Sequence, residues 1–148
     1  MTFKTKIDQD MVTAAKGKDK ITLSTLRLIK TALHNREIDL KRELSDTEFL
    51  QLLSSMVKQR KDSIEQFAKG GRTDLVEKEG AELKIIQAFM PEQMSEEDIL
   101  REIQKAIDET GALNVKDMGK VMKVLMPKLT GKADGKLLGE KVKAVLSA

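Results

Sequence analysis

The chain has 148 residues and a formal net charge of +3, with 34% charged and only 3% aromatic residues. It contains no cysteine, which excludes disulfides, thiolate zinc sites and cysteine nucleophiles. No stretch approaches roughly 18 consecutive apolar residues, so the sequence predicts no membrane span. Since the N-terminus also lacks the apolar core of a signal peptide, these features predict a cytoplasmic protein.

Four helices are predicted in the first part of the chain, where apolar residues recur at helical spacing and strand-like alternation is absent. The first carries its apolar stripe from Phe3 to Ala14, and the second starts near Thr22 or Ser24. The third opens with a capping box, SDTE at 45–48, and ends at 70–71. Thr73 or Asp74 is predicted to cap the fourth helix, and Pro91 to end it.

Three further helices are predicted after Pro91. Ser95 caps the first of them and Gly111 ends it. Asn114 is predicted to cap the next, Pro127 to break it, and a turn at 130–135 to precede the last. We therefore expect an all-α fold with two helical subdomains, a four-helix part at 1–91 and a three-helix tail at 92–148.

Residues that could perform catalysis are not grouped in this sequence. His34 is the only histidine, and without an orienting partner or a second ligand we expect it to be structural or solvated. The adjacent acids Glu96 and Glu97 have the position of first-turn helix acids, and the carboxylates lack calcium-loop spacing. The sequence therefore predicts no catalytic residue, no metal site and no cofactor.

The segment GKADGK at 131–136 has two interpretations. It lacks the spacing and the preceding strand of a P-loop. Gly131 and Lys132, with Lys136 beyond the turn, could still bring backbone N–H groups and ammonium groups to a phosphate at a helix start. The alternative is a plain interhelical turn with Asp134 as cap, and the sequence leaves both open.

Basic residues dominate the tail. Residues 112–148 contain eight lysines against three acids, a net charge of +5, whereas 73–111 has a net charge of −7. Lys116, Lys120 and Lys123 fall at i, i+4 and i+7, which would put them on one face of a helix. Gly119 interrupts that helix, and we expect a neighbouring helix or backbone to approach closely there.

A second basic patch is predicted in the first part of the chain, with a plain solvated helix surface as the alternative. Its residues are Arg27, Lys30, Arg36, Lys58, Arg60 and Lys61. With so few aromatic side chains for base stacking, a nucleic-acid partner would be bound through phosphates and shape, which favours a folded RNA.

The segment MGKVMKVLMPKLTGKADGKLLGEKVKAVL at 118–146 resembles the helical tail of the GatB/YqeY family. That tail closes the GatB polypeptide of the amidotransferases that convert Glu-tRNA(Gln) or Asp-tRNA(Asn) to the amidated forms. STLRLIKTALHNREID at 24–39, ETGALNVKDMGKVM at 109–122 and the long stretch 57–99 resemble the stand-alone YqeY members of the family. Gly135 stands where the amidotransferase tail often has proline.

The resemblance implies a two-part helical protein whose tail contacts tRNA without performing chemistry. It also implies the activity assigned to the family, that of a carbon–nitrogen ligase with glutamine as amide donor. The domains that carry those reactions are absent from this sequence. The leading hypothesis is a non-catalytic tRNA-binding module that uses Lys116, Lys120, Lys123, Gly131, Lys132 and Lys136. The alternatives are an adaptor for an amidotransferase or aminoacyl-tRNA synthetase and, last, an accessory to the ligase reaction.

Overall fold

The computed structural model describes residues 2–148, and all regular structure in that range is helical, which confirms the all-α class. Residues 2–148 contain seven α-helices and a 3₁₀ turn at Val115–Asp117. The α-helices are α1 (Phe3–Lys16), α2 (Lys20–Leu40), α3 (Asp46–Lys69), α4 (Thr73–Gln87), α5 (Glu96–Thr110), α6 (Met118–Leu129) and α7 (Gly135–Ser147).

The chain divides into two compact units, one ending at Met90 and the other spanning Pro91–Ala148. The first contains α1–α4 and the second α5–α7. Each unit has its own aliphatic core, since the clusters of buried side chains share no member. That the two parts are independent subdomains at 1–91 and 92–148 stays a prediction, which unfolding of each part alone would test.

Helix caps in the first unit show where local chemistry decides the boundaries. Ser45 forms the predicted capping box, because its Oγ accepts from the Glu48 N–H (3.2 Å) and Glu48 Oε1 accepts from the Ser45 N–H (3.1 Å). Helix α2 begins at Lys20, so Thr22 lies near its start as predicted, and the cap is Asp19, which accepts from the Thr22 N–H at 3.1 Å.

The two ends of α4 differ from the sequence prediction. Neither Thr73 nor Asp74 caps it, because Thr73 is already its first residue and Arg72 at the cap position makes no side-chain cap bond. The helix ends at Gln87, and two turn hydrogen bonds, to the carbonyls of Ile86 and Gln87, carry the chain towards Pro91. Propensity alone does not reveal this early end.

In the second unit, Ser95 caps α5 by accepting from the Asp98 N–H, and Gly111 ends it at φ +68°, as predicted. Pro127 does not break α6 where expected, because the helix continues to Leu129. Pro127 has no N–H to donate to the Lys123 carbonyl, so α6 lacks one hydrogen bond there, but the helix continues and the Thr130 N–H still donates to the Met126 carbonyl at 3.0 Å.

Helices α6 and α7 form an antiparallel hairpin whose two glycines face methionines. A Cβ built on Gly135 would lie 3.5 Å from Met126 Cε, and one on Gly139 would lie 3.5 Å from Met118 Cε. The buried residues beneath are Val121, Leu125, Leu129, Leu138, Val142 and Leu146. The two glycines thus lie at the contact between the lysine-bearing helices, where an added methyl group would be in ordinary contact with a methionine.

Candidate nucleic-acid interface

The outer face of α6 carries two of the predicted lysines. Lys120 and Lys123 are exposed and three residues apart, so they are neighbours on the helix. At 100° per residue they lie opposite the buried residues Val121, Leu125 and Leu129. Burial of one side of α6 therefore leaves both ammonium groups directed to solvent.

Lys116 does not belong to α6, contrary to the prediction of one continuous helix. It lies in the 3₁₀ turn, where its N–H donates to Asn114 Oδ1 at 2.9 Å, and α6 begins only at Met118. Asn114 thus caps the 3₁₀ turn and not the α-helix. Lys116 is exposed beside the start of α6. Of the three lysines predicted to share one helix face, only Lys120 and Lys123 do so.

Asp117 is the acid nearest to this group of lysines. Its Oδ2 accepts from the Leu113 N–H at 2.9 Å, and its Oδ1 lies 3.7 Å from Lys120 Nζ. The backbone hydrogen bond from Leu113, followed by the charge of Lys120, holds the pKa of the Asp117 carboxyl below its ordinary value. Asp117 is therefore bound chiefly to the backbone and is ionised at neutral pH.

Pairing with acids divides the tail lysines into two sets. Within residues 2–148, no carboxylate lies within 4.0 Å of the ammonium groups of Lys116, Lys123, Lys132 or Lys136. In contrast, Lys141 Nζ lies 2.6 Å from Glu96 Oε1, and Lys128 Nζ lies 3.8 Å from Glu109 Oε1. The predicted site lysines are thus largely the free ones, with Lys120 the exception.

The α6–α7 loop takes the form of a capped turn. Asp134 is the N-cap of α7, and its Oδ2 accepts from the Leu137 N–H at 3.4 Å. Since this carboxylate occupies the helix N-terminus, a phosphate would meet negative charge at those N–H groups. The turn interpretation accounts for the backbone, and the exposed side chains of Lys132 and Lys136 remain available for a phosphate.

Two backbone carbonyls of this loop are bound by a segment that sequence reasoning missed. Gln93 Nε2 donates to the Gly131 carbonyl at 2.7 Å, and the Met94 N–H donates to the Lys132 carbonyl at 3.0 Å. Gly131 itself is buried and has φ +79°, a conformation that favours glycine. Because Gln93 and Gly131 are 38 residues apart, no local pattern in the sequence indicates this contact.

Gly119 has no close neighbour, so the expected approach of a helix or backbone is wrong for the part of the chain that the structure describes. A Cβ built on this residue would meet nothing within 4 Å. The residue is exposed near the start of α6, between the lysines. It contributes a bare stretch of helix surface instead of a packing contact.

Arg60 is the residue of the predicted second patch that the structure removes from the surface. Its side chain is 16% exposed, and its Nε lies 3.2 Å from Glu82 Oε2 and 3.5 Å from Glu79 Oε2. Glu82 is itself buried. Arg60 thus joins α3 to α4 in an internal ion pair, and its spacing of four residues from Met56 and from Ile64 was the signal for that position.

The other members of the second patch are exposed and lie on different helix faces. Arg27 and Lys30 share the outer face of α2, where Lys30 Nζ lies 2.7 Å from Asp8 Oδ1. Arg36 lies elsewhere on α2, and Lys58 and Lys61 lie on the outer side of α3. The patch is therefore less continuous than the sequence predicts.

A small cleft in the first unit includes the single histidine. It has a volume of about 190 Å³ and lies between α1 and α2, with Lys4 and Glu37 (2.9 Å apart) on its rim. The hydrogen bond from Lys4 lowers the pKa of the Glu37 carboxyl. His34 lines this cleft and is exposed. The charged groups that line the cleft are already paired with one another, so the cleft has the character of a solvated groove.

Two other kinds of site are absent from residues 2–148. None of the helices there combines the length and apolarity needed to cross a bilayer. In the same range, no three or more His, Asp or Glu side chains converge as metal ligands would.

Comparison with known proteins gives a match along nearly the whole chain. The profile of the family described as Yqey-like protein matches residues 4–146. The protein named "Altered inheritance of mitochondria protein 41, mitochondrial" from Saccharomyces cerevisiae is 36% identical over 132 residues, which cover 87% of this chain and 69% of that protein.

Two further relatives carry the same name. The Kluyveromyces lactis protein is 37% identical over 84 residues, 56% of this chain and 45% of its own length, so the match spans less than half of that relative. The Pyrenophora tritici-repentis protein is 29% identical over 148 residues, 97% of this chain and 80% of its own length. These mitochondrial relatives contradict the cytoplasmic location predicted above, because a lack of cysteine and of a secretory signal does not distinguish the two compartments.

Proposed function

The chain belongs to the YqeY-like family, and from that premise we propose that it is a non-catalytic tRNA-binding helical module. Its second unit, with α5–α7, is the binding subdomain in this proposal. The observation that carries the proposal is a set of exposed tail lysines that no carboxylate neutralises within residues 2–148. Lys116, Lys123, Lys132 and Lys136 of the predicted site belong to this set, as does Lys143 outside it. The resemblance to the tRNA-contacting tail of the amidotransferases supports the same function.

Phosphate contact is the mode of binding that these side chains favour. An ammonium group is a compact charge that binds phosphate without reading a base. The described part of the second unit has no aromatic side chain on which a base could stack. Recognition would therefore depend on the shape of a folded RNA and on the number of phosphates reached.

A ligase reaction has no support from the arrangement of side chains. A nucleophile needs an orienting base within hydrogen-bond reach. Within residues 2–148, His34 is the only histidine and lines a cleft of paired charges in the first unit. We infer that any part in carbon–nitrogen ligation would be through a partner that supplies the chemistry.

The test is titration of tRNA against the full chain at several salt concentrations. The names of the relatives place those proteins in mitochondria, so mitochondrial tRNA is the first RNA to use. We expect log Kd to rise linearly with log salt, with about 0.7 to 0.9 of slope for each phosphate contact. The variant Lys116→Ala/Lys120→Ala/Lys123→Ala should lose two to three contacts, about 2 units of slope.

The matched control removes three exposed lysines of the first unit, Lys16→Ala/Lys78→Ala/Lys84→Ala, and so changes the net charge equally. It should keep most of the slope. Equal losses in the two variants would mean that only net charge matters, and the tail would have no special part. Absence of tRNA binding at low salt would end the proposal.

A second candidate is an adaptor for an amidotransferase or aminoacyl-tRNA synthetase, favoured by one observation. Leu113 is 86% exposed although its N–H donates to Asp117, so a large apolar side chain extends into solvent from a fixed backbone. Because Leu113 is exposed whatever its side-chain conformation, capture of such a protein in an RNase-resistant form, lost in Leu113→Asp and kept in Lys116→Glu/Lys120→Glu, would support the adaptor over the RNA module.

A further inference from the structure

The segment that opens the second unit is bound to the loop between α6 and α7. Gln93 Nε2 donates to the Gly131 carbonyl (2.7 Å) and to the Pro91 carbonyl (3.2 Å), so one amide group bridges segment and loop. The next residue, Met94, donates its backbone N–H to the Lys132 carbonyl at 3.0 Å. Two consecutive residues thus satisfy two consecutive loop carbonyls.

The backbone of Lys132 is held by hydrogen bonds on both sides. Its N–H donates to the Leu129 carbonyl at 2.9 Å, which closes the end of α6. Its carbonyl is held from the other side by Met94, while its side chain is exposed and has no carboxylate within 4.0 Å in the described chain. The ammonium group therefore extends from a fixed Cα, although the loop contains glycine and small residues that would otherwise move.

Fixing a binding group before the partner arrives reduces the entropy lost on binding. A lysine on a mobile loop would reach the same phosphate at a greater loss of backbone freedom. The hydrogen bonds of Gln93 and Met94 to the loop thus strengthen binding if Lys132 contacts a partner. They have little effect on binding if the loop only connects α6 to α7.

We propose that Gln93 is a positioning residue for RNA binding, which acts by holding the 130–134 loop so that Lys132 is presented to a phosphate. The proposal rests on the function proposed above and adds a residue that touches no RNA itself. Gln93 is exposed and lies outside the hydrophobic core, so its replacement leaves the core of the unit intact.

The experiment uses Gln93→Met, Lys132→Ala and the double variant in the full chain. Methionine keeps the length of the side chain and its neutral charge but removes the Nε2 donor. The control is Gln104→Met on α5, where Gln104 Nε2 donates to Asp108 Oδ1 at 3.0 Å away from the loop. The readouts are amide hydrogen exchange at Met94 and Lys132 without RNA, and the Kd for mitochondrial tRNA at 0.1 M salt together with its salt slope.

We expect Gln93→Met to speed exchange at Met94 and Lys132 and to weaken tRNA binding at 0.1 M salt by part of the roughly five- to tenfold that Lys132→Ala removes with its phosphate contact. The salt slope should fall in Lys132→Ala and stay near the wild-type value in Gln93→Met, because the contact is kept and only the cost of ordering the loop rises. The double variant should bind like Lys132→Ala alone, because Gln93 acts through that lysine. Gln104→Met should change no readout, and a merely structural glutamine would alter exchange and leave the Kd at its wild-type value.

Three results would overturn the inference. Unchanged exchange at Met94 in Gln93→Met would show that the amide does not hold the loop. Additive losses in the double variant would show that Gln93 does not act through Lys132. Wild-type binding by Lys132→Ala, with binding still lost when Lys116, Lys120 and Lys123 are replaced, would remove the inference and leave the proposed function standing.

Discussion

The stretch 58–61 in α3 and the stretch 116–123 that leads into α6 are both rich in basic residues, but their side chains have different surroundings. In the first, Arg60 lies between Glu79 and Glu82 with 16% of its side chain exposed. In the second, Lys123 is exposed and has no carboxylate within 4.0 Å in residues 2–148. Whether a basic residue forms an internal ion pair or stays free in solvent therefore depends on its position on the helix. The number of charges nearby in the sequence does not determine this.

The largest expected effect comes from breaking the internal ion pair. Arg60→Ala leaves the buried Glu82 carboxylate without its cation, which costs roughly 3 kcal/mol of unfolding free energy. Lys61→Ala, one residue away on the outer side of α3, should change it by no more than about 0.5 kcal/mol. Urea denaturation of both variants measures the difference. Equal effects would mean that Arg60 behaves as a surface charge and that the contrast between the stretches is unfounded.

A smaller effect is expected on binding when one free lysine is removed. Lys123→Ala should weaken tRNA binding about five- to tenfold at 0.1 M salt, as expected for one lost phosphate contact. Lys128→Ala, on the same helix but beside Glu109, should weaken it less because its charge is partly neutralised. Fluorescence anisotropy with labelled tRNA would compare them. The reverse order would contradict the assignment of the outer face of α6 as the interface.

Gly119→Ala tests the bare surface between the lysines. Because a Cβ there meets nothing within 4 Å, we expect the helix-propensity gain alone, up to about 1 kcal/mol of added stability. Thermal unfolding measures this gain, and Gly80→Ala in α4, equally free of neighbours, is the matched variant. Loss of stability in Gly119→Ala would instead mean that a helix or backbone does approach this residue closely, as the sequence predicts.

The smallest effect concerns two carboxyls at helix starts, one in each unit. Hydrogen bonds from the Arg42 guanidinium and from the Ser45 N–H lower the pKa of Glu48 from 4.5 to about 2, and Lys141 lowers the pKa of Glu96. Each depressed pKa stabilises the fold above pH 4.5, and the contribution of Glu48 is lost as the pH falls towards 2. Both carboxyls can be titrated by NMR.

Unfolding of Glu48→Gln complements that titration. Its deficit relative to the wild type should be fully present at pH 6 and mostly lost by pH 2, because about half of the wild-type carboxyl is then protonated. Glu65→Gln, at an exposed pair with Lys69, is the control and should show less pH dependence. A deficit that stays constant over this range would show that the Glu48 charge is not responsible.

Features of the fold that depend on a few neighbouring residues could be predicted from the sequence. The capping box at Ser45, the cap at Ser95 and the left-handed Gly111 all involve groups within a few residues of one another. Apolar stripes of period 3.6 likewise gave the number and class of the helices. The errors concern exact helix ends, as at α4, which ends before its apolar stripe does, and at Pro127, which lies inside α6.

The candidate site was predictable in its residue types and not in its geometry. Exposed lysines follow from the positions opposite an apolar stripe, which is why Lys120 and Lys123 lie together. The 3₁₀ turn that displaces Lys116 from α6 and the contact from Gln93 to Gly131 depend on backbone geometry and on residues far apart in the chain. Such features become visible only in three dimensions.

The glycine–methionine contacts between α6 and α7 have a practical consequence. Met118 Cε and Met126 Cε lie 3.5 Å from the positions of a Cβ on Gly139 and on Gly135, so alanine fits there in ordinary contact. A larger neutral residue must displace the flexible methionine side chain or, where that side chain cannot move, the neighbouring helix. A series of neutral substitutions at these two glycines therefore perturbs the packing beneath the lysine array while every charge is kept.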